Sequence, residues 1–234
     1  MKVKGLLLLL LSVQFGFAQL KIDKGDLKYE VGNQWNNLGY NVTAGSVDVS
    51  EGENITWDFT NLTGGFHDTT TVPLNDGSKV VVSSTTKGDV TYNVEDTTYV
   101  LVSMLGLALA PPLSTTIGLP HYYGKAWSGS GKVGGFFEVT VSGSVVGSGT
   151  IKSDLGTFDC LLIKEVVAAP ANQTNYYWET KEFGRIAVYY QNEDQLFVTQ
   201  SDKKEEPTVD PITGIVVKKE HFKWDAGTVS NNLV

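Results

Sequence analysis

Along residues 137–145, apolar and polar side chains alternate. Phe137, Val139, Val141 and Val145 fall on one side of an extended chain, and Glu138, Thr140, Ser142 and Ser144 on the other. Successive side chains of a strand point to opposite faces, so this pattern predicts a half-buried antiparallel strand. The following stretch, GTIKSDLGTFDCLLIKEVV (149–167), differs. Phe158, Cys160 and Leu162 share one side while Leu161 and Ile163 share the other, which predicts a central strand covered on both faces. Asp154-Leu155-Gly156 turns the chain between the two strands. Ala169–Gln173, with Pro170 and Asn172, turns it again into Tyr176-Tyr177-Trp178. Phe183-Gly184 leads to Arg185–Tyr190, and Asn192–Asp194 leads to Gln195–Gln200. The charged run Asp202–Asp210 reads as a solvated excursion, Ile215–Trp224 as a last strand, and Gly227–Val234 as a loose tail.

The N-terminal half is β-like with a less regular pattern. Strands are expected at Asp26–Val31, Ser46–Val49, Asn54–Asn61, Ser78–Thr85 and Val90–Leu105, with Gly64-Gly65 and Asp76-Gly77 as breaks. Beyond the first residues no stretch of helical length carries apolar side chains at three-and-four spacing. The expected fold is all-β, built of antiparallel sheets. A β-sandwich and a curved half-barrel give the same alternation, so both stay open. No internal repeat or linker divides the chain. One domain is expected over 19–234, more irregular over 19–96 and a meander over 132–225.

The first 18 residues stand apart. Lys2 and Lys4 precede six leucines, Leu6–Leu11, and Gly16-Phe17-Ala18 supplies small residues before Gln19. That is the make-up of a signal peptide cleaved after Ala18, and the apolar run is shorter than the roughly 20 residues of a membrane-crossing helix. A secreted or periplasmic address follows. The 26 acidic against 18 basic residues, with no basic stripe, argue against nucleic acid as a partner. The single cysteine, Cys160, cannot form an internal disulfide and is expected to behave as a small core hydrophobe.

Candidate chemistry is sparse. Thr97–Gly124 holds no charged side chain apart from His121, and Pro111-Pro112 interrupts its apolar run. A buried strand over Tyr99–Leu105 and an apolar loop over Gly106–Pro120 are expected, lying against the protein's own core or against a ligand. If a ligand is held, Tyr99, Leu101, Leu105, Leu107, Leu109, Leu113 and Ile117 line its site. Gly129, Gly131 and Gly134 spell G-x-G-x-x-G, but the strand-like Phe136–Val141 follows where dinucleotide binding needs a helix, so a hairpin or bulge is expected. His67, His121 and His221 lie in separate segments and are expected as solvated surface or loop residues, with no zinc motif. Glu51, Glu53 and the pair Glu205-Glu206 lie in polar surroundings unsuited to acid catalysis. Asn41, Asn54, Asn61 and Asn172 each begin an N-x-T sequence. Tyr176, Tyr177, Trp178, Tyr189 and Tyr190 fall on adjacent expected strands, where they either pack or present a platform.

GENITWDFTNLTG (52–64), with its W-D-F-[ST] motif, resembles the opening of many exported bacterial β domains. LPHYYGKAWSGSG (119–131), the G-T-F-x-C stretch around Cys160 and YYWETKEFGRIAVY resemble later parts of the same proteins. These are uncharacterised secreted proteins of Gram-negative bacteria, often passengers of the type IX secretion route. The likeness covers most of the chain after the leader, and its motifs are turns, Trp anchors and strand alternation, with no catalytic residue among them. The C-terminal sorting domain common in such passengers is not recognised after HFKWDAG. A Tyr/Trp strand, a Phe-Gly turn and a returning strand also look like the curved half-barrel of periplasmic lipoprotein carriers, which implies an apolar cavity.

The expected function is that of an exported, non-catalytic envelope or extracellular β protein, without a cofactor, whose partner is a protein or an apolar small molecule. The alternative is a periplasmic carrier of a lipid or other apolar ligand. A weaker alternative is a hydrolase with a dispersed site, which requires a cleft joining a histidine to a buried carboxylate.

Overall fold

The computed structural model describes residues 19–104, 107–168 and 172–200, together with the backbone of two short strands at 208–209 and 216–217. The leader, Leu105, Glu205-Glu206, His221 and the expectations for the tail lie outside the described residues. In the unit from Asp202 onward, Thr208–Val209 pairs antiparallel with Val216–Val217. The other unit ends at Ser201.

That unit is built on one sheet of 14 strands. In chain order they are β1 (Gln34–Asn41), β2 (Gly52–Asp58), β3 (Phe66–Asn75), β4 (Lys79–Ser84), β5 (Gly88–Val94), β6 (Thr98–Met104), β7 (Leu107–Ala108) and β8 (Ile117–Gly118). There follow β9 (Ala126–Val133), β10 (Phe137–Ser153), β11 (Gly156–Ala168), β12 (Gln173–Thr180), β13 (Gly184–Tyr190) and β14 (Gln195–Thr199). The order across the sheet is β2-β10-β11-β12-β13-β14-β1-β3-β4-β5-β6-β7, with β9 also beside β10 and β8 beside β6. All pairings are antiparallel except β2 with β10. The all-β expectation holds, and of the two architectures left open the single curved sheet is the one present. The curvature is visible in the packing: Leu101 on β6 and Val139 and Val141 on β10, far apart in strand order, belong to one cluster.

Both faces of the central strands are covered. Cys160 and Leu162 point to the convex side and Leu161 and Ile163 to the concave side, all fully or almost fully buried. The convex side is roofed by the excursion between β1 and β3. Val47, Trp57 and Phe59 pack there against Trp178, Ile186 and Leu196. Trp57 and Phe59 meet Trp178 edge-on, at 6.5 and 5.0 Å between ring centres. Burial of large apolar side chains at about 1.5–3 kcal/mol each makes this layer the main anchor of the sheet. On the concave side, Ile22, Leu27 and Tyr29 from the N-terminal segment pack with Val72, Tyr99, Ile117 and Tyr177.

The N-terminal expectations are corrected in three places. Asp26–Val31 is not a strand: Lys24–Leu27 forms a 3-10 turn, closed by the Asp26 carboxylate accepting from the Asp23 N–H at 2.8 Å and ended by Lys28 at φ 58°. Ser46–Val49 is an irregular crossing of the convex face, held by burial of Val47 and not by a ladder. Val90–Leu105 is two strands, β5 and β6, turned at Glu95–Thr97 by the Thr98 carbonyl accepting from the Glu95 N–H. Strands β1 and β3 were not anticipated, since Gln34–Asn41 and Phe66–Asn75 are rich in Asn and Thr.

Candidate functional site

The concave face does not close on itself. Between the cluster around Leu27, Tyr29, Ile117 and Tyr177 and the cluster around Leu101, Leu109, Val139 and Val141 lies a cavity of about 620 Å³ that both sets line. Its size falls within the roughly 300–1,000 Å³ of ligand pockets. The alternation along β10 explains its apolar wall: Val139 and Val141 face inward while Glu138 and Thr140 face solvent. Met104 and Leu107 line it and are also 46 and 62% exposed, so the apolar lining continues to the surface there. Phe136 and Phe137 lie exposed at the adjacent β9–β10 hairpin.

Of the residues singled out for a ligand site, Leu101, Leu107, Leu109 and Ile117 line the cavity. Tyr99 sits behind them, edge-on to Tyr29 at 5.5 Å, and Leu113 is fully buried beside Leu109. The loop expected over Gly106–Pro120 lies flat on β9. The Ala110 N–H donates to the Lys132 carbonyl at 2.8 Å and the Lys132 N–H to the Pro111 carbonyl at 3.1 Å. This explains the glycines of the G-x-G-x-x-G run, which form a hairpin strand and its turn. A Cβ on Gly129 would stand 2.0 Å from the Thr115 carbonyl oxygen, and one on Gly131 2.8 Å from that of Pro111. Gly134 opens the turn at φ 59°.

Two polar groups punctuate the lining. At one, Asp68 is 4% exposed and surrounded by donors: Asn37 Nδ2 at 3.1 Å, Ser84 Oγ at 2.8 Å, Thr85 Oγ1 at 3.0 Å and the Thr86 N–H at 2.9 Å. Burial pushes its carboxyl up, and the hydrogen bonds of Ser84, Asn37 and Thr86 outweigh that and hold it below the usual range. Beside it Lys87 contacts Glu193 and Gln195 and lies 4.5 Å over the Tyr190 ring.

The other group centres on Arg185. Its guanidinium lies 3.8 Å over the Tyr177 ring, and Nη2 donates to Glu179 Oε1 at 3.4 Å. Glu179 is fully buried and accepts a closer contact, 2.7 Å, from His121 Nδ1. Burial raises the Glu179 carboxyl, and the neighbouring His121 and Arg185 overcome this and lower it. Tyr177 Oη donates to Glu165 at 2.6 Å, and Asn175 Nδ2 donates to the same oxygen at 3.0 Å. Burial pushes the Tyr29, Tyr92 and Tyr177 hydroxyls up, and that of Tyr190 to about 12, so all four are neutral at physiological pH.

His121 corrects the expectation of solvated histidines. It is 1% exposed, stacked on Trp127 at 4.7 Å, and its Nε2 has no partner. The pair with Glu179 recovers part of the desolvation cost of a buried imidazole. No sequence signal pointed to it, because Glu179 is 58 residues away and on a strand read as structural. His67 is exposed on β3 as expected. Although His121 meets a buried carboxylate, it is not among the cavity-lining residues. Tyr176 and Tyr189 stack on the convex side at 6.3 Å, whereas Tyr177 and Tyr190 line the cavity. Glu51 is exposed and paired with Lys164 at 3.2 Å. Cys160 is a free, fully buried thiol that burial holds well above its ordinary pKa. Among the described residues no helix is long and apolar enough to cross a membrane.

No known protein family and no curated protein matches the sequence. Two solved structures resemble the chain at low similarity. One is a candidate lipoprotein from Parabacteroides distasonis, 12% identical, covering 74% of this chain and 95% of that one with a TM-score of 0.36. The other is the hypothetical lipoprotein YmcC from Escherichia coli K12, 8% identical, covering 76% and 88% with a TM-score of 0.34.

Proposed function

We propose that this chain is an envelope carrier or receptor for an apolar small molecule, held on the concave face of its sheet, and that it acts without catalysis. The observation that carries the reading is the cavity of about 620 Å³, lined by Leu101, Leu109, Ile117, Val139 and Val141. A core closed by packing would leave no space of this size, since native interiors hold few voids larger than a water molecule. An apolar surface kept open forfeits burial energy that a bound ligand restores. The exposed lining at Met104 and Leu107 supports an exit on that side. The leader-like first 18 residues support an exported address, periplasmic or extracellular.

The reading is tested by native mass spectrometry of the protein purified gently from its own envelope fraction, followed by organic extraction. A stoichiometric lipid or other apolar molecule is the expected result. A clean unliganded mass with nothing extractable would sink the carrier and return the protein to a role in protein contacts.

A further inference from the structure

Arg185 is an expensive residue to place in an apolar cavity. A buried charge costs several kcal/mol unless it is paired and hydrogen-bonded, and here the pairing is incomplete. Its carboxylate partner, Glu179, stands at 3.4 Å and gives its closer contact, 2.7 Å, to His121. The Nε–H, on the same edge of the guanidinium as Nη2, has no partner and is itself shut off from solvent, so the charge is left undercompensated on that side. The flat face is held on Tyr177, so the group cannot swing out to solvent without losing the ring contact. The side chain is 24% accessible and lines the cavity. Glu165, which lines the cavity as Asp68 does, is engaged by Tyr177 Oη and Asn175 Nδ2 at the far end of the Tyr177 ring. The cavity thus has a long apolar wall with a fixed, incompletely paired cation at one place on it, while the second lining cation, Lys87, is taken up by Glu193 and Gln195.

The geometry points to a ligand that is an amphiphile with a single apolar chain and a carboxylate head, the head accepting from Arg185 and the chain lying along Leu101, Leu109, Val139 and Val141. This rests on the carrier reading and names its ligand class. A planar guanidinium edge matches a carboxylate and gives charge-assisted bonds stronger than those to a neutral acceptor. Tyr29 and Tyr92, lining the same part of the cavity, supply neutral hydroxyls around the head without adding charge.

The test compares ligands that differ only in the head. Dodecanoic acid, methyl dodecanoate and dodecane are titrated at pH 8 against the full chain loaded with the neutral fluorophore N-phenyl-1-naphthylamine. The acid is expected to displace the fluorophore with a Kd about tenfold or more below that of the ester, the scale of one hydrogen bond to a charged group. Arg185→Met is expected to abolish that gap while the ester still binds, and Arg185→Lys to keep only part of it. Equal affinities of acid and ester for the native chain would overturn the head-group assignment and leave the carrier standing. A gap that survives in Arg185→Met, with ester binding intact, would remove Arg185 from the role. If Arg185→Met also loses the ester, the gap in the native chain and its reduction in Arg185→Lys decide. Failure of the fluorophore and of all three compounds to bind would overturn the cavity reading and the head group with it.

Discussion

Asp68 shows how a carboxylate on the concave wall can be structural. Its hydrogen bonds lower the folded pKa below the unfolded value of about 3.9, so its contribution to stability is present above that pH and is lost as pH falls through the folded value. Glu179, lowered by His121 and Arg185, acts in the same direction. Asp68→Asn keeps one acceptor for Ser84, Thr85 and the Thr86 N–H and puts a donor where Oδ2 now accepts from Asn37 Nδ2 and Thr70 Oγ1. We expect it to cost about 1–3 kcal/mol at pH 7 and to flatten the acid limb, leaving the share due to Glu179. Urea denaturation at pH 7 and pH 3 checks this, and a variant with the native acid limb would contradict it. Cys160 and its neighbours were legible from alternation alone, because burial on a strand is a local, period-two property. The Arg185–Glu179–His121 group was not. It joins β12, β13 and the segment before β9, and its residue types read as surface ones.

Elements were legible where the hydrophobic pattern and the ladder agree, as along β10 to β14, and hidden where polar side chains face inward. β1 escaped because Asn37 and Asn36 break its apolar pattern, yet Asn37 is the residue that ties Asp68, Thr70 and Thr199 together. β10 hides a different feature. Odd-numbered residues are buried along most of its length, which reads as one face, but the register slips between Val145 and Gly147. Val145 therefore packs on the concave side and Ile151 on the convex side, against Trp57 and its neighbours. A bulge exchanges the faces while leaving the periodicity in the sequence undisturbed. The loop on β9 offers a direct check. Gly129→Ala places a methyl 2.0 Å from the Thr115 carbonyl oxygen, backbone against backbone, so segment 109–116 must lift. The expected cost is about 1–3 kcal/mol by thermal or urea unfolding, with weakened binding of a neutral fluorophore. Unchanged stability and binding would show that the loop does not rest on this strand.

At the scale of the molecule, a curved sheet packed on both faces near its centre leaves unfilled space on the concave side, and that space can be tested by filling it. Val139→Trp adds an aromatic ring where Val139 faces the cavity. In a packed core such an enlargement costs about 1–3 kcal/mol. Here we expect a smaller loss together with abolished fluorophore binding, measured by unfolding and by titration. A full overpacking cost would mean that the space is already occupied by the protein's own side chains. The half-barrel was foreseeable only as one of two architectures, since alternation reports which side chains are covered and not whether a second sheet or a bend covers them. The loop between β6 and β9 carries a further consequence. Its hydrogen bonds through Ala110 and Pro111 occupy backbone groups of β9 that would otherwise form an open strand edge. Unpaired edges are templates on which a second chain can add its own strand. By lying on that edge, the segment that walls the cavity also denies a landing site for another copy, so loosening it would expose the protein to polymerisation as well as emptying its interior.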